Sequence, residues 1–376
     1  MKRILCILLS SVLIFLCGCA EKNTVTVPID NKSDFFGIWV TYAELENAAK
    51  GDFKENFSKI CENAKSISAT ALFVHIRPFC DSPFKSEYFP LCSYAKNADY
   101  DVLEVMTELC HKNGLEFHGW INPYRISSTY KTSDNPISKN SALLLSTETG
   151  IYLDPALAEN RKLIIDGVRE VVENYDIDGI HFDDYFYPTT DEGCDNNSYN
   201  AYKNSVSSPL PRDVWRRTNV TLLISGISSY LKSQDKKICF SVSPAADIER
   251  NYNNLYADIK NWVDADYLDA VIPQIYFGFD YPTEKFTFER LLLDWINLVD
   301  SKTNLYIGLA PYKLNTGQKP DCTEWKGGTD IVGRQIRCLK NQGEVSGAVL
   351  FSYSYIFKEA TDFIKQKNEI ATAIKE

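Results

Sequence analysis

The residues best suited to chemistry in this chain lie in one stretch, Asp178-Gly-Ile-His-Phe-Asp-Asp-Tyr-Phe-Tyr-Pro188. Strand alternation sends Ile180 and Phe182 to one face and His181, Asp183 and Tyr185 to the other. Asp184 follows where strand gives way to loop, so it can turn toward the same side. Two adjacent carboxyls in a half-dry cleft push each other's pKa apart, and one keeps its proton while its neighbour stays charged. That pairing can protonate a leaving oxygen and stabilise an oxocarbenium-like transition state. An ordinary loop-capping pair or a structural cation site is the bland alternative, and the flanking Tyr185, Phe186 and Tyr187 argue against it.

Further polar residues recur at the ends of short apolar runs: His75 and Arg77, Trp120, Asn122 and Arg125, Gln274 and Tyr276, and Tyr353. Arg77 shares strand spacing with His75, and its fork suits a carboxylate or a sugar hydroxyl; a salt bridge to Asp81 or Asp183 is the alternative. Trp120 suits the floor under a sugar ring or, equally, a layer of core.

These residues need a scaffold that brings distant strand ends together. The runs 37–42, 71–77, 116–122, 179–184, 238–244, 268–276, 305–311 and 347–353 are rich in β-branched and aromatic residues. Most are followed by a segment of helical period. Phe53, Phe57, Ile60, Cys61, Ala64 and Ile67 mark one such helix; another is expected to start with Asp154 as cap and Pro155 at its first position. Eight strands alternating with helices predict an α/β fold, a closed (β/α)8 TIM barrel whose site lies at the C-terminal strand ends. The polar stretches 123–152 and 185–212 read as long βα loops after strands three and four, and loops of that length usually carry function.

GIWVTY, FVHIRP, FHGWINPYR, DGIHFDDYFYP and VIPQIYF, in that order and each at a strand end, resemble the glycosyl hydrolase-like family ten over residues 35 to about 355. The resemblance implies a bacterial lipoprotein that cleaves cell-wall glycan stripped of its peptide stems. It also implies that His75, Arg77, Trp120, Asn122, Arg125, Asp183, Asp184, Gln274 and Tyr276 line the site; His181, Tyr185 and Tyr353 join them as expected substrate contacts.

A conventional two-carboxylate mechanism wants a second acid on another strand end, roughly 5–5.5 Å away for retention or 6.5–9.5 Å for inversion. Asp247, Glu249 and Asp280 are the nearest candidates, a few residues into loops. The alternative is substrate assistance, in which the sugar's own 2-acetamido oxygen attacks the anomeric carbon. Adjacent Asp-Glu pairs of family-20 hexosaminidases work this way, and on that analogy Asp184 is the acid. An N-acetylated glycan is therefore the expected substrate. Two other classes compete. One is a zinc hydrolase or deacetylase using His75, His118, His181 and Asp183, although no HxH or HExxH spacing occurs; the other is a glycan-binding lipoprotein without catalysis. No metal and no other cofactor is expected.

Lys2-Arg3, an apolar run to Leu16 and then Cys17-Gly-Cys19 read as a leader over residues 1–18, too short to span a membrane. Cys19 is the expected lipidation site, residues 19–34 a tether, and 35–376 a single catalytic barrel, held outside the cell membrane by its lipid. Removing Lys2 and Arg3 takes the formal charge from −10 to −12. No basic tract remains to follow a phosphate backbone, so nucleic acid is not an expected partner. Eight cysteines follow Cys19, without CxxC spacing; their pairing is open.

Overall fold

A computed structural model describes residues 35–128, 135–316 and 322–376. The expected leader, the Cys19 lipidation site and the tether lie outside the described residues. The strands are β1 (Phe35–Val40), β2 (Ala71–Arg77), β3 (Glu116–Ile121), β4 (Arg125–Ser127), β5 (Leu144–Thr147), β6 (Gly150–Leu153), β7 (Gly179–Phe182), β8 (Cys239–Val242), β9 (Ala270–Val271), β10 (Asn304–Leu309) and β11 (Gly347–Leu350). Eight of them close a parallel barrel in the order β1-β2-β3-β7-β8-β9-β10-β11, as the alternation of strand and helix predicts. β4, β6 and β5 form a separate antiparallel sheet within the segment after β3.

Two hydrophobic populations follow from strand alternation. Ile38, Val74, Phe117, Ile180, Phe182 and Leu350 face outward into the core beneath the helices. Trp39, Phe73, Trp120, Ile272, Tyr306 and Val349 fill the interior. Large interior rings need small neighbours. A Cβ on Gly179 would lie 2.2 Å from His118 Nδ1, and one on Gly37 would lie 2.6 Å from Phe73. Those two glycines let Phe73 and His118, register partners on the neighbouring strands β2 and β3, stack at 4.6 Å inside the barrel.

Helix Phe53–Ser66 buries Phe53, Phe57, Ile60, Cys61 and Ala64, the stripe read from the sequence, and Asp52 caps it by accepting from the Glu55 amide. Helix Ala158–Asn174 differs from expectation. It starts three residues beyond Pro155, with Leu157 at its N-cap and no side-chain cap. Asp154 instead closes a turn, accepting from the Ala156 amide at 2.9 Å and from the Ser198 hydroxyl. Its carboxylate thus ties the segment after β3 to the helix Asn196–Ser205, which lies in the long segment after β7.

β9 is short because Pro273 has no N–H to donate. The ladder nevertheless continues beyond it: Ile272 donates to Val242 O (2.8 Å), Gln274 to Pro244 O (2.9 Å) and Gly308 to Pro273 O (2.9 Å). That continuation carries Gln274 and Tyr276 to the barrel mouth. Cys61, Cys80, Cys92, Cys110, Cys194, Cys239 and Cys338 are free thiols, so Cys80 and Cys92 are not bridged. Among the described residues no helix is long and apolar enough to cross a membrane.

Candidate active site

The C-terminal strand ends surround a cavity of about 460 Å³, in the range of small-ligand sites. β7 delivers Asp183 to its floor. The Asp183 side chain is buried, with Trp120 Nε1 donating to Oδ2 at 3.1 Å and the Tyr185 amide donating to Oδ1 at 3.2 Å. Trp120 lies flat on His75, their ring centroids 3.6 Å apart and their planes within 7°. Asp184, half-buried, joins Gln274 and Tyr276 on the cavity wall; Trp39, Tyr42 and Phe351 add aromatic lining, with Phe351 meeting Tyr276 at 5.9 Å. At the rim, the Arg125 guanidinium lies over the exposed ring of Tyr185 at 4.5 Å and donates through Nε to Pro78 O at 3.2 Å.

Burial and the neighbouring Asp184 charge raise the Asp183 pKa well above the usual carboxylate range, against the opposing pull of Arg125 and the two N–H donors. Burial raises Asp184 too, but Gln274, Arg250 and Arg125 all favour its charged form. The two environments therefore differ: Asp183 is the proton holder and Asp184 the better-supported anion. Burial, then the Arg125 charge, pushes the His75 pKa down, which keeps the imidazole neutral beneath the cavity. Burial and the nearby Tyr312, Asp184 and Asp183 raise the Tyr276 pKa, so its hydroxyl remains a donor.

Eight of the twelve predicted site residues line this cavity or its rim: Asp183, Asp184, His75, Trp120, Arg125, Tyr185, Gln274 and Tyr276. Four lie elsewhere. Arg77 is the largest correction. A register irregularity between His75 and Arg77 pairs Arg77 with Ile121 rather than one residue further on, so it turns outward although spacing puts it on the side of His75. Its guanidinium is buried over the Phe89 ring at 3.9 Å, with Nη2 donating to Gly167 O at 3.1 Å and Nε to Asp81 O at 3.3 Å. The alternative, a salt bridge to Asp81 or Asp183, does not form either; these carbonyls take the guanidinium's donors.

Asn122 is fully buried and donates to Pro78 O at 3.4 Å, holding the β2 and β3 ends together outside the cavity. His181 lies below the floor, where Trp39 Nε1 donates to its Nε2 (3.1 Å) and Ser241 and Ser243 lie at 2.9 and 3.2 Å. Tyr353 starts a short helix, and its hydroxyl accepts from Asn63 Nδ2 at 2.7 Å in an adjoining groove. Conversely, Trp39, Thr41, Tyr42, Ser243, Tyr312 and Phe351 line the cavity without having been singled out. The signal for Trp39 was available: it precedes Thr41 by two, on the same strand face.

The candidate second acids do not reach the cavity. Asp247 caps the helix Ile248–Asn253 and pairs with Lys285, as does Glu249. Asp280 is exposed on a loop held by Glu324. The imidazoles proposed for zinc do not converge either. His118 bonds Glu116 at the opposite end of β3, His181 is committed to Trp39 and two serines, and His75 is stacked on Trp120. No group of three or more metal-ligating side chains forms among the described residues.

A closed parallel barrel with an aromatic mouth around two neighbouring acids is an arrangement found among glycoside hydrolases, on a fold that also hosts other chemistries. The chain belongs to the Glycosyl hydrolase-like 10 family, whose model matches residues 34–326. Glycosyl hydrolase YngK of Bacillus subtilis is 33% identical over 329 residues, covering 80% of this chain and 63% of that protein. Glycosyl hydrolase DigH of Escherichia coli K12 is 30% identical over 341 residues, covering 80% and 75%. The chain thus spans somewhat less than two thirds of the length of YngK. Among solved structures, the glycoside hydrolase domain of PgaB (BpsB) from Bordetella bronchiseptica superimposes with a TM-score of 0.62 at 12% identity, over 89% of this chain and 98% of that one. The β-amylase catalytic domain from Paenibacillus polymyxa gives 0.59 at 11% identity, over 92% and 100%. At these identities the likeness concerns the fold.

Proposed function

We propose that this protein is a glycoside hydrolase acting on an N-acetylated glycan of the bacterial cell-wall type, peptide-free peptidoglycan above all, with Asp183 and Asp184 as its catalytic residues. The observation that carries the reading is that, among the described residues, the two carboxyls lining the mouth cavity are adjacent in sequence and sit in unlike environments. Family membership and the names of the relatives support hydrolysis of a glycosidic bond.

With no third acid in the cavity wall among the described residues, substrate assistance is the mechanism the geometry favours. The acetamido oxygen attacks the anomeric carbon as the glycosidic C–O bond breaks, and Asp183 gives its proton to the departing oxygen. Asp184, charged, accepts from the acetamido N–H and offsets the positive charge of the oxazolinium ion. Tyr276 donates to the same sugar. Water then opens the ring at the anomeric carbon and returns a proton to Asp183. This assignment reverses the order suggested by the hexosaminidase analogy, because Asp183 is the more deeply buried of the two.

Incubation with purified peptide-free glycan strands, followed by mass measurement of products, tests the proposal. New reducing ends are expected with wild type, with a loss of about 10²–10⁴-fold in Asp183→Asn. De-N-acetylated strands should resist cleavage. Binding without any new reducing end would instead establish a glycan-binding protein. The proposal includes a location outside the membrane on a Cys19 lipid anchor; Cys19→Ala should release the protein into the soluble fraction and abolish labelling by palmitate.

A further inference from the structure

A second cavity, of about 640 Å³, opens beside the mouth between helix Tyr42–Ala48, helix Phe53–Ser66 and the turn after β11. Thr41, Tyr42 and Phe351 border both cavities. The aromatic lining is continuous as well: Tyr276 meets Tyr312 at 5.8 Å in the mouth, and Tyr312 meets Tyr355 of the groove at 5.9 Å. A chain leaving the mouth on this side would run along tyrosine rings, surfaces suited to sugar faces.

Among the described residues the groove contains two charged side chains, Glu44 and Lys59, and they differ in kind. Glu44 is fully occupied. Its Oε2 accepts from the Thr41 amide at 2.6 Å, and its Oε1 accepts from the Ser352 hydroxyl at 2.8 Å and the Ser354 amide at 2.6 Å. Three donors leave that carboxylate little to offer a ligand, and its role is to fix the groove wall. Lys59 is exposed and forms no ion pair among the described residues. Asn56 beside it spends its amide N–H on Ala48 O at 2.9 Å. Among the described residues the groove therefore presents one uncommitted positive charge, beside tyrosine rings.

We propose that this groove is a second subsite for an adjoining sugar of the same glycan, and that Lys59 takes a free carboxylate carried on that sugar. The inference rests on the glycoside hydrolase reading and deepens it. In wall glycan the lactyl ether of alternate sugars ends in an amide while a stem peptide is attached, and in an ionised carboxylate once the peptide is removed. A lysine at this place distinguishes the two by charge, which gives a physical basis for preferring stripped strands.

The test uses purified protein and two probes: short peptide-free strands with free lactyl carboxylates, and the same strands with those carboxylates converted to methylamides. Binding is measured by calorimetry and cleavage by reducing ends, at low and high salt. Wild type should bind the charged strands more tightly. Lys59→Ala should weaken that binding about fivefold at low salt and less at high salt, leave the methylamide strands unaffected, and be rescued by Lys59→Arg. Equal binding of both probes by wild type, or an unchanged affinity for charged strands in Lys59→Ala, overturns the subsite, and so does failure to bind either probe. Cleavage without a Lys59 effect sinks the subsite alone; a Lys59 effect on binding without cleavage sinks the hydrolase reading alone.

Discussion

Trp120 donates its indole N–H to Asp183 at 3.1 Å while its ring lies flat on His75. A donor to the charged form lowers a carboxyl's pKa, so this bond restrains the rise that burial and Asp184 impose on Asp183. Trp120→Phe keeps a ring but deletes the donor. Asp183 should then hold its proton to still higher pH, and the alkaline limb of the pH–rate profile should move upward while kcat falls about tenfold. An unmoved limb would show that Asp183 is not the proton donor.

Asp184→Asn acts in the opposite direction. Removing the Asp184 charge eliminates the second-largest contribution to the raised Asp183 pKa, so the alkaline limb should shift to lower pH as kcat drops. Stability carries the same signature. With its pKa raised, Asp183 keeps a proton in the folded state at pH values where the unfolded chain has lost it. The folded state binds more protons there, so this pair lowers stability as pH rises from the ordinary carboxylate range through the raised value. Denaturation curves at several pH values should show a shallower decline in Asp184→Asn than in wild type.

Arg77 tests the outward turn at the end of β2. Its guanidinium fills space against Phe89 and Gly167 rather than the mouth. Arg77→Met should cost about 1–3 kcal/mol by leaving the Gly167 and Asp81 carbonyls without their donor, with KM for glycan unchanged. A Cβ on Gly167 would approach Arg77 Nη1 to 2.8 Å and the Phe89 ring to 2.3 Å, so Gly167→Ala should destabilise by a similar ~1–3 kcal/mol through overpacking. A large KM effect with normal stability would place Arg77 in the mouth after all.

Asp195 anchors the long segment that follows the two acids. It accepts from Arg216 Nε at 2.7 Å and Nη2 at 2.9 Å, from Arg212 Nη1 at 2.6 Å and from the Tyr187 hydroxyl at 2.5 Å. Arg216 also donates to the Thr190 and Asp191 carbonyls. Asp195→Ala leaves a buried guanidinium unpaired, a loss of about 3–5 kcal/mol. Limited proteolysis should cut first within 185–211, and activity should fall more than the loss of folded protein explains, because this segment continues directly from Asp184.

The sequence by itself determined the barrel. Eight runs of strand-forming residues, each needing helices over its outer face, leave few ways to bury that surface, and alternation alone sent Ile180 and Phe182 outward and His181 and Asp183 inward. It also brought Asp183, Trp120, Gln274 and Tyr276 to one end, since parallel strands all finish on the same side. The tertiary structure decided depth and direction. One register irregularity turned Arg77 away from the mouth, a single strand step left His181 beneath the floor, and the helix after β11 carried Tyr353 into the neighbouring groove. The unlike surroundings of two chemically identical neighbours, Asp183 and Asp184, are contributed by residues far away in the chain, Trp120, Arg125, Arg250 and Gln274. Local periodicity fixes which face a side chain takes; contacts between residues far apart in the chain fix what it meets there.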